Sequence, residues 1–177
     1  MSKKLVAYFS CTGTTRKVAE NLVEAIDGDL YEIIPKNAYT DEDLNWKNKN
    51  SRVSLEMMNK DSRPEILTKI NNMEEYNTIF LGFPIWWYTA PRIINTFLES
   101  YDFSGKTVVV FFTSGGSGLG NTISDLKQSC SNNVNFISGK RFGRSTSVED
   151  LKLWVNSLKI KEWKGWKIIT ILTTPKV

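Results

Sequence analysis

Residues 10–15 read Ser-Cys-Thr-Gly-Thr-Thr, placing four hydroxyls, a thiol and a glycine between an apolar run and a helical one. Three chemistries suit such a cluster. Convergent hydroxyls and free backbone N–H groups at a helix start can seat a phosphate, with Gly13 permitting a tight turn and close approach. One Ser or Thr can simply cap the helix, although a cap needs one such residue rather than four. Cys11 could act as a nucleophile.

The spacing separates these readings. No Gly-Lys-[Ser/Thr] follows, so this is not a triphosphate-binding P-loop, and a monophosphate is the anion suggested. A phosphatase-type loop needs Cys-x5-Arg, whereas Cys11 and Arg16 are one residue closer and position 17 is lysine. Lysine lacks the planar bidentate grip of a guanidinium on phosphate. Arg16 and Lys17 either supplement the charge of the loop or face solvent.

Two further segments carry unusual residues. Residues 83–91, Phe-Pro-Ile-Trp-Trp-Tyr-Thr-Ala-Pro, hold three consecutive aromatics between two prolines. Successive side chains diverge, so at least one of Trp86, Trp87 and Tyr88 is expected to face a crevice, where a planar ligand could stack on it. A protein-interaction patch is the alternative. Residues 113–120, Thr-Ser-Gly-Gly-Ser-Gly-Leu-Gly, carry four glycines in eight positions, which let a backbone approach a ligand closely.

All three segments follow strand-like runs. Residues 4–9, 29–34, 77–83, 106–113 and 134–138 read as strands, the third and fourth as near-continuous apolar runs suited to a parallel sheet covered on both faces. Helical spacing occupies 15–26, 90–100, a stretch after Gly120, and 148–158. This alternation predicts a doubly wound α/β fold, a five-stranded parallel sheet with helices on both faces. In such sheets the ligand crevice lies at the carboxyl ends of the strands, where the three loops fall. Residues 35–63 are polar; 41–48 and 51–59 could each form a short helix, and so long a connection suits a lid or rim.

Composition narrows the function. The chain has no histidine, which removes His-based nucleophilic catalysis and the usual zinc sites and favours a bound cofactor as the seat of chemistry. Cys11 and Cys130 fit no disulfide framework or zinc spacing. The net charge of +4 lies in residues 159–177, which hold five lysines against one glutamate; the other residues carry 18 basic and 18 acidic groups. A nucleic-acid partner is therefore not expected, and neither is a membrane span. Without a signal-peptide pattern at the N-terminus, the cytoplasm is the expected location. Residues 1–160 read as one domain and 161–177 as a basic tail of uncertain structure, possible as an extra edge strand.

The three segments, with the Phe-Leu that follows the second, resemble the flavodoxin family over about residues 3–158, in particular its flavodoxin-like short-chain branch. The resemblance implies strand order 2-1-3-4-5 and noncovalently bound FMN. It implies Ser10, Thr12, Gly13, Thr14 and Thr15 on the phosphate, Pro84, Ile85, Trp86 and Trp87 along the isoalloxazine, and Ser114, Gly115, Gly116 and Gly118 at its other edge. Cys11 then contributes only its backbone N–H. Against the family pattern, residues 84–91 contain no glycine, the third loop carries no aromatic, and the core is neutral rather than acidic. The implied function is electron transfer through FMN to a redox partner protein. The alternative is an NAD(P)H-dependent FMN or quinone reductase, because an uncovered flavin face could admit a nicotinamide or quinone. A flavin-free module using the tryptophan patch is the competing class.

Overall fold

The computed structural model describes residues 3–131, 133–158 and 160. The chain runs β1 (Lys3–Tyr8), α1 (Thr14–Ile26), β2 (Asp29–Glu32), α2 (Arg52–Met58), a 3-10 turn (Met73–Glu75) and β3 (Tyr76–Pro84). It continues with α3 (Arg92–Glu99), β4 (Thr107–Thr113), α4 (Thr122–Lys127), β5 (Asn135–Arg141) and α5 (Val148–Ser157). All strand pairs are parallel and the order is β2-β1-β3-β4-β5, as expected. The proposed tail, 161–177, lies outside the described residues.

Alternation along the strands sorts the core into two layers. Leu5, Ala7, Ile79, Leu81, Val108 and Val110 point to the face covered by Ile93, Ile94 and Phe97 of α3 and Leu126 of α4. Val6, Tyr8, Phe80, Val109 and Phe111 point to the opposite face, covered by Val18 and Leu22 of α1 and Leu151 and Trp154 of α5. Fully burying side chains of this size contributes about 1.5–3 kcal/mol each. Two glycines are demanded by the packing. A Cβ on Gly82 would lie 2.0 Å from the Phe111 ring, and one on Gly139 would lie 1.2 Å from the Val110 carbonyl oxygen. Gly139 sits where the β4–β5 register shifts, so the close approach there is part of a bulge.

Helix boundaries follow local chemistry. Ser147 and Asp150 form a reciprocal capping box that starts α5. Ser51 caps α2, accepting from Ser54 N. Pro91 occupies the position before α3 rather than its first turn. Residues 41–48 form turns, not a helix. Thr40 Oγ1 accepts from Asp43 N while Asp43 Oδ2 accepts from Thr40 N, and Asn45 and Asn48 accept from the backbone two residues on. Short polar side chains there satisfy the backbone locally and so compete with a helical ladder.

Candidate functional site

At the carboxyl edge, the β1–α1 loop opens on Gly13, held at φ 80° and ψ −3°. A residue with a Cβ pays a steric penalty in that left-handed region, so glycine fits the turn. Gly13 N donates to Ser10 Oγ at 3.1 Å, which folds the loop back on itself. No side chain caps α1, so its first N–H groups keep their hydrogen-bonding capacity. Thr15 is buried, and its hydroxyl lies 2.8 Å from that of Thr113, tying the loop to the end of β4. A compartment of about 160 Å³ is lined by Ser10, Cys11, Thr12, Thr15, Leu44, Pro84, Trp86 and Thr113. None of these carries a cation. Arg16 is turned to the sheet edge, where it pairs with Glu32.

The β3–α3 loop is built differently. Ile85 N donates to Thr113 O, which continues the sheet for one more residue. Trp86 and Thr89 then exchange both backbone hydrogen bonds, at 2.9 and 3.0 Å, around a tight turn. The two central residues of that turn, Trp87 and Tyr88, have φ of 45° and 65°. Glycine or asparagine normally fills such positions, so this loop holds aromatic side chains against backbone preference. Trp86 is fixed by edge-to-face contacts with Phe9 and Tyr39, at 5.6 and 5.8 Å between centroids. Tyr39 is itself clamped. The Arg52 guanidinium lies 3.9 Å from its ring centroid, and its hydroxyl donates to Glu56 at 2.6 Å. Arg52 Nε donates to the other Glu56 oxygen. A second compartment, about 210 Å³, shares Leu44 and Trp86 with the first and adds Trp46, Val53, Ile85 and Trp87.

The glycine-rich loop leaves β4 at the same edge. Ser114 organises it, donating to Ser117 O and accepting from Gly116 N. A Cβ added at Gly115, Gly116 or Gly118 would meet nothing within 4 Å. The protein's own packing therefore does not require glycine there, and a bare backbone leaves room for a ligand to approach. Gly120 is different: it has positive φ and abuts the Tyr88 carbonyl, which also accepts from the Thr122 hydroxyl.

The thiol is set for inertness. Burial is the largest influence on Cys11, and its pKa is pushed up from 9.0 to about 12, which disfavours a thiolate. Burial likewise raises the Tyr39 hydroxyl, helped by its bond to Glu56. Among the described residues, no group of His, Cys, Asp and Glu could hold a metal ion. No described helix is long and apolar enough to cross a membrane.

Of the residues expected from sequence, Ser10, Thr12, Thr15, Pro84, Ile85, Trp86 and Trp87 line the two compartments. Gly13 and Thr14 shape the start of α1 behind them. Ser114, Gly115, Gly116 and Gly118 border the same edge without lining either compartment. Sequence reasoning missed Leu44, Trp46 and Thr113 as lining residues, and the Tyr39–Arg52–Glu56 clamp. The signal for Leu44 and Trp46 was present: they are isolated apolar residues in an otherwise polar excursion.

An open parallel sheet of order 2-1-3-4-5, with a hydroxyl-lined helix start and an aromatic loop at its carboxyl edge, defines a flavodoxin-like protein. The family model described as flavodoxin matches residues 3–158, and the chain belongs to that family. It is similar to a protein of Bacteroides eggerthii provisionally termed a flavoprotein: 46% identity, TM-score 0.84, covering 91% of this chain and 100% of that one. A flavoprotein of Lactobacillus acidophilus, solved in complex with FMN, is 27% identical at TM-score 0.65, covering 88% of this chain and 99% of that one. The uncharacterized NAD(P)H oxidoreductase YcaK of Escherichia coli is 26% identical over 85 residues, 48% of this chain. The match spans 39% of that relative's length.

Proposed function

We propose that this chain binds FMN noncovalently and carries electrons through it. The observation that carries the reading is a single crevice joining an uncapped, hydroxyl-lined helix start to a fixed tryptophan. In this reading Ser10, Thr12, Gly13, Thr14 and Thr15 hold the phosphate, using backbone N–H groups, hydroxyls and the α1 dipole rather than a cation. Pro84, Ile85, Trp86 and Trp87 line one side of the isoalloxazine. Ser114, Gly115, Gly116 and Gly118 border the other edge, where a Cβ would occupy space that is otherwise open. These residues suit a planar group carrying a phosphate, and the FMN complex of the Lactobacillus relative supports the assignment. When bound, FMN supplies one- or two-electron redox chemistry, and the chain positions it. The Tyr39–Arg52–Glu56 clamp keeps Trp86 in place, and the half-buried Cys11 thiol takes no part.

The similarity to YcaK favours a second reading, an NAD(P)H-dependent reductase. Steady-state NAD(P)H consumption with an added acceptor separates the two, since a carrier alone shows no turnover. For the cofactor itself, the purified protein is expected to show flavin absorption bands and to quench the fluorescence of added FMN. A colourless protein that leaves FMN fluorescence unchanged contradicts the reading.

A further inference from the structure

At the edge strand β5 lies a further compartment, about 560 Å³, between the end of that strand and the length of α5. Lys140, Arg141 and Phe142 line it from the strand, and Asp150, Leu153 and Trp154 from the helix. It shares no residue with the three loops assigned to the cofactor, or with either compartment at the ends of β1, β3 and β4. Its volume suits a small-molecule ligand.

A bulge places charge there. Val109 pairs with Ile137, but Phe111 pairs with Lys140 rather than Gly139, so β5 carries one extra residue. Phe111 belongs to the layer covered by α1 and α5, and the shift turns Lys140 to that side, with its Nζ 5.7 Å from the Phe142 ring centroid. In regular pairing Gly139 would stand there and Lys140 would face the other layer. Bulges beside functional sites re-aim side chains in this way. Arg141, the next residue along the strand, reaches the same compartment from the opposite side.

The two cations are uncommitted. Neither forms an ion pair among the described residues. Asp150 is engaged: its carboxylate accepts from Ser147 Oγ and Ser147 N, and these bonds, with Lys140 nearby, hold it below the usual carboxylate range. The helix side offers an apolar wall. Trp154 packs edge-to-face on Phe142 at 4.9 Å, and Leu153 beside it is 62% exposed.

Two cations reaching in from different directions suit an anion whose oxygens are not confined to a plane. A phosphate monoester offers three strong acceptor oxygens and about −1.5 to −2 charge near neutral pH. A carboxylate offers two oxygens in one plane.

We propose that this compartment binds an organic phosphate monoester of nucleotide size, its phosphate on Lys140 and Arg141 and its body against Leu153 and Trp154. The site does not depend on the FMN reading.

The probe is AMP, titrated calorimetrically into wild-type protein and into Arg141→Gln, Lys140→Gln and Arg144→Gln, each without FMN and with one equivalent of it. AMP is expected to bind wild type at one site, at least about tenfold tighter than adenosine or inorganic phosphate. Arg141→Gln and Lys140→Gln should each weaken AMP about tenfold, the scale of one lost charge-assisted bond. Arg144 is a nearby cation that does not line the compartment, so Arg144→Gln should stay within about twofold, its charge being screened by salt. All three side chains are exposed, and thermal midpoints should not move. Absence of AMP binding, an affinity matched by adenosine or inorganic phosphate, equal losses in all three variants, or release of FMN by AMP each overturns the proposal. Arg141-dependent AMP binding by a protein that never takes up FMN leaves it standing and contradicts only the cofactor reading.

Discussion

The β1–α1 and β3–α3 loops lie side by side at one sheet edge and use opposite backbone strategies. In the first, the left-handed position belongs to Gly13, which adopts it without a steric penalty. In the second, the left-handed positions belong to Trp87 and Tyr88, and the turn holds because Trp86 and Thr89 close it by two hydrogen bonds. The Thr89 hydroxyl, donating to Asp125 at 2.8 Å, and the Thr122 contact with Tyr88 O anchor it to α4. On the proposed reading the first loop would hold a phosphate through backbone N–H groups, which wants a relaxed turn. The aromatic loop works through side chains and accepts strain to present them.

That contrast can be broken by substitution. The largest effect is expected at Thr12, which lines the crevice and whose hydroxyl makes no hydrogen bond among the described residues. Thr12→Ala should weaken FMN binding by about 1.5–3 kcal/mol through a lost charge-assisted bond, leaving the urea midpoint unchanged. Titration of FMN fluorescence reads the first quantity. A matched pair comes next. Gly13→Ala should destabilise the fold by about 1–2 kcal/mol; the new Cβ meets nothing within 4 Å, so the cost is conformational. Tyr88→Gly should instead stabilise it by about 0.5–1 kcal/mol, the left-handed penalty removed exceeding the added chain entropy. Urea unfolding of both variants should give shifts of opposite sign, and shifts of the same sign would erase the distinction between the loops.

The smallest effect belongs to Cys11. Its pKa is raised in the fold, from 9.0 to about 12, so the fold favours the protonated thiol. The associated stability is intact below pH 9 and falls as the pH climbs from 9 towards 12. Cys11→Ala should lessen this alkaline loss without abolishing it, because Cys130 is also raised, to about 11. FMN affinity should be unaltered, and at pH 8 iodoacetamide should label the native thiol far more slowly than the unfolded one.

Much of this was legible in the sequence, for identifiable reasons. Within the runs 77–83 and 106–113, residues 79–83 and 108–112 carry no polar side chain because β3 and β4 are covered on both faces, so the strands and the parallel sheet could be read directly. Gly13 and its hydroxyl neighbours advertised the helix start. The turns at 41–48 were not legible, because Asp and Asn bonding to nearby backbone outweighs a weak helical pattern. Nor was the positive φ of Trp87 and Tyr88, since nothing in an aromatic pair announces a left-handed turn. The clamp of Tyr39 by Arg52 and Glu56 joins residues up to 17 positions apart, and only the fold brings them under Trp86.

The central claim is that the β1–α1 loop holds a phosphate, and a comparison of FMN with riboflavin tests it most directly. The two share the isoalloxazine and ribityl chain and differ only in the phosphate. Fluorescence titration of each into flavin-free protein should give FMN an advantage of at least about a hundredfold, equivalent to about 2.7 kcal/mol. Equal affinities would place the phosphate in solvent and contradict the account.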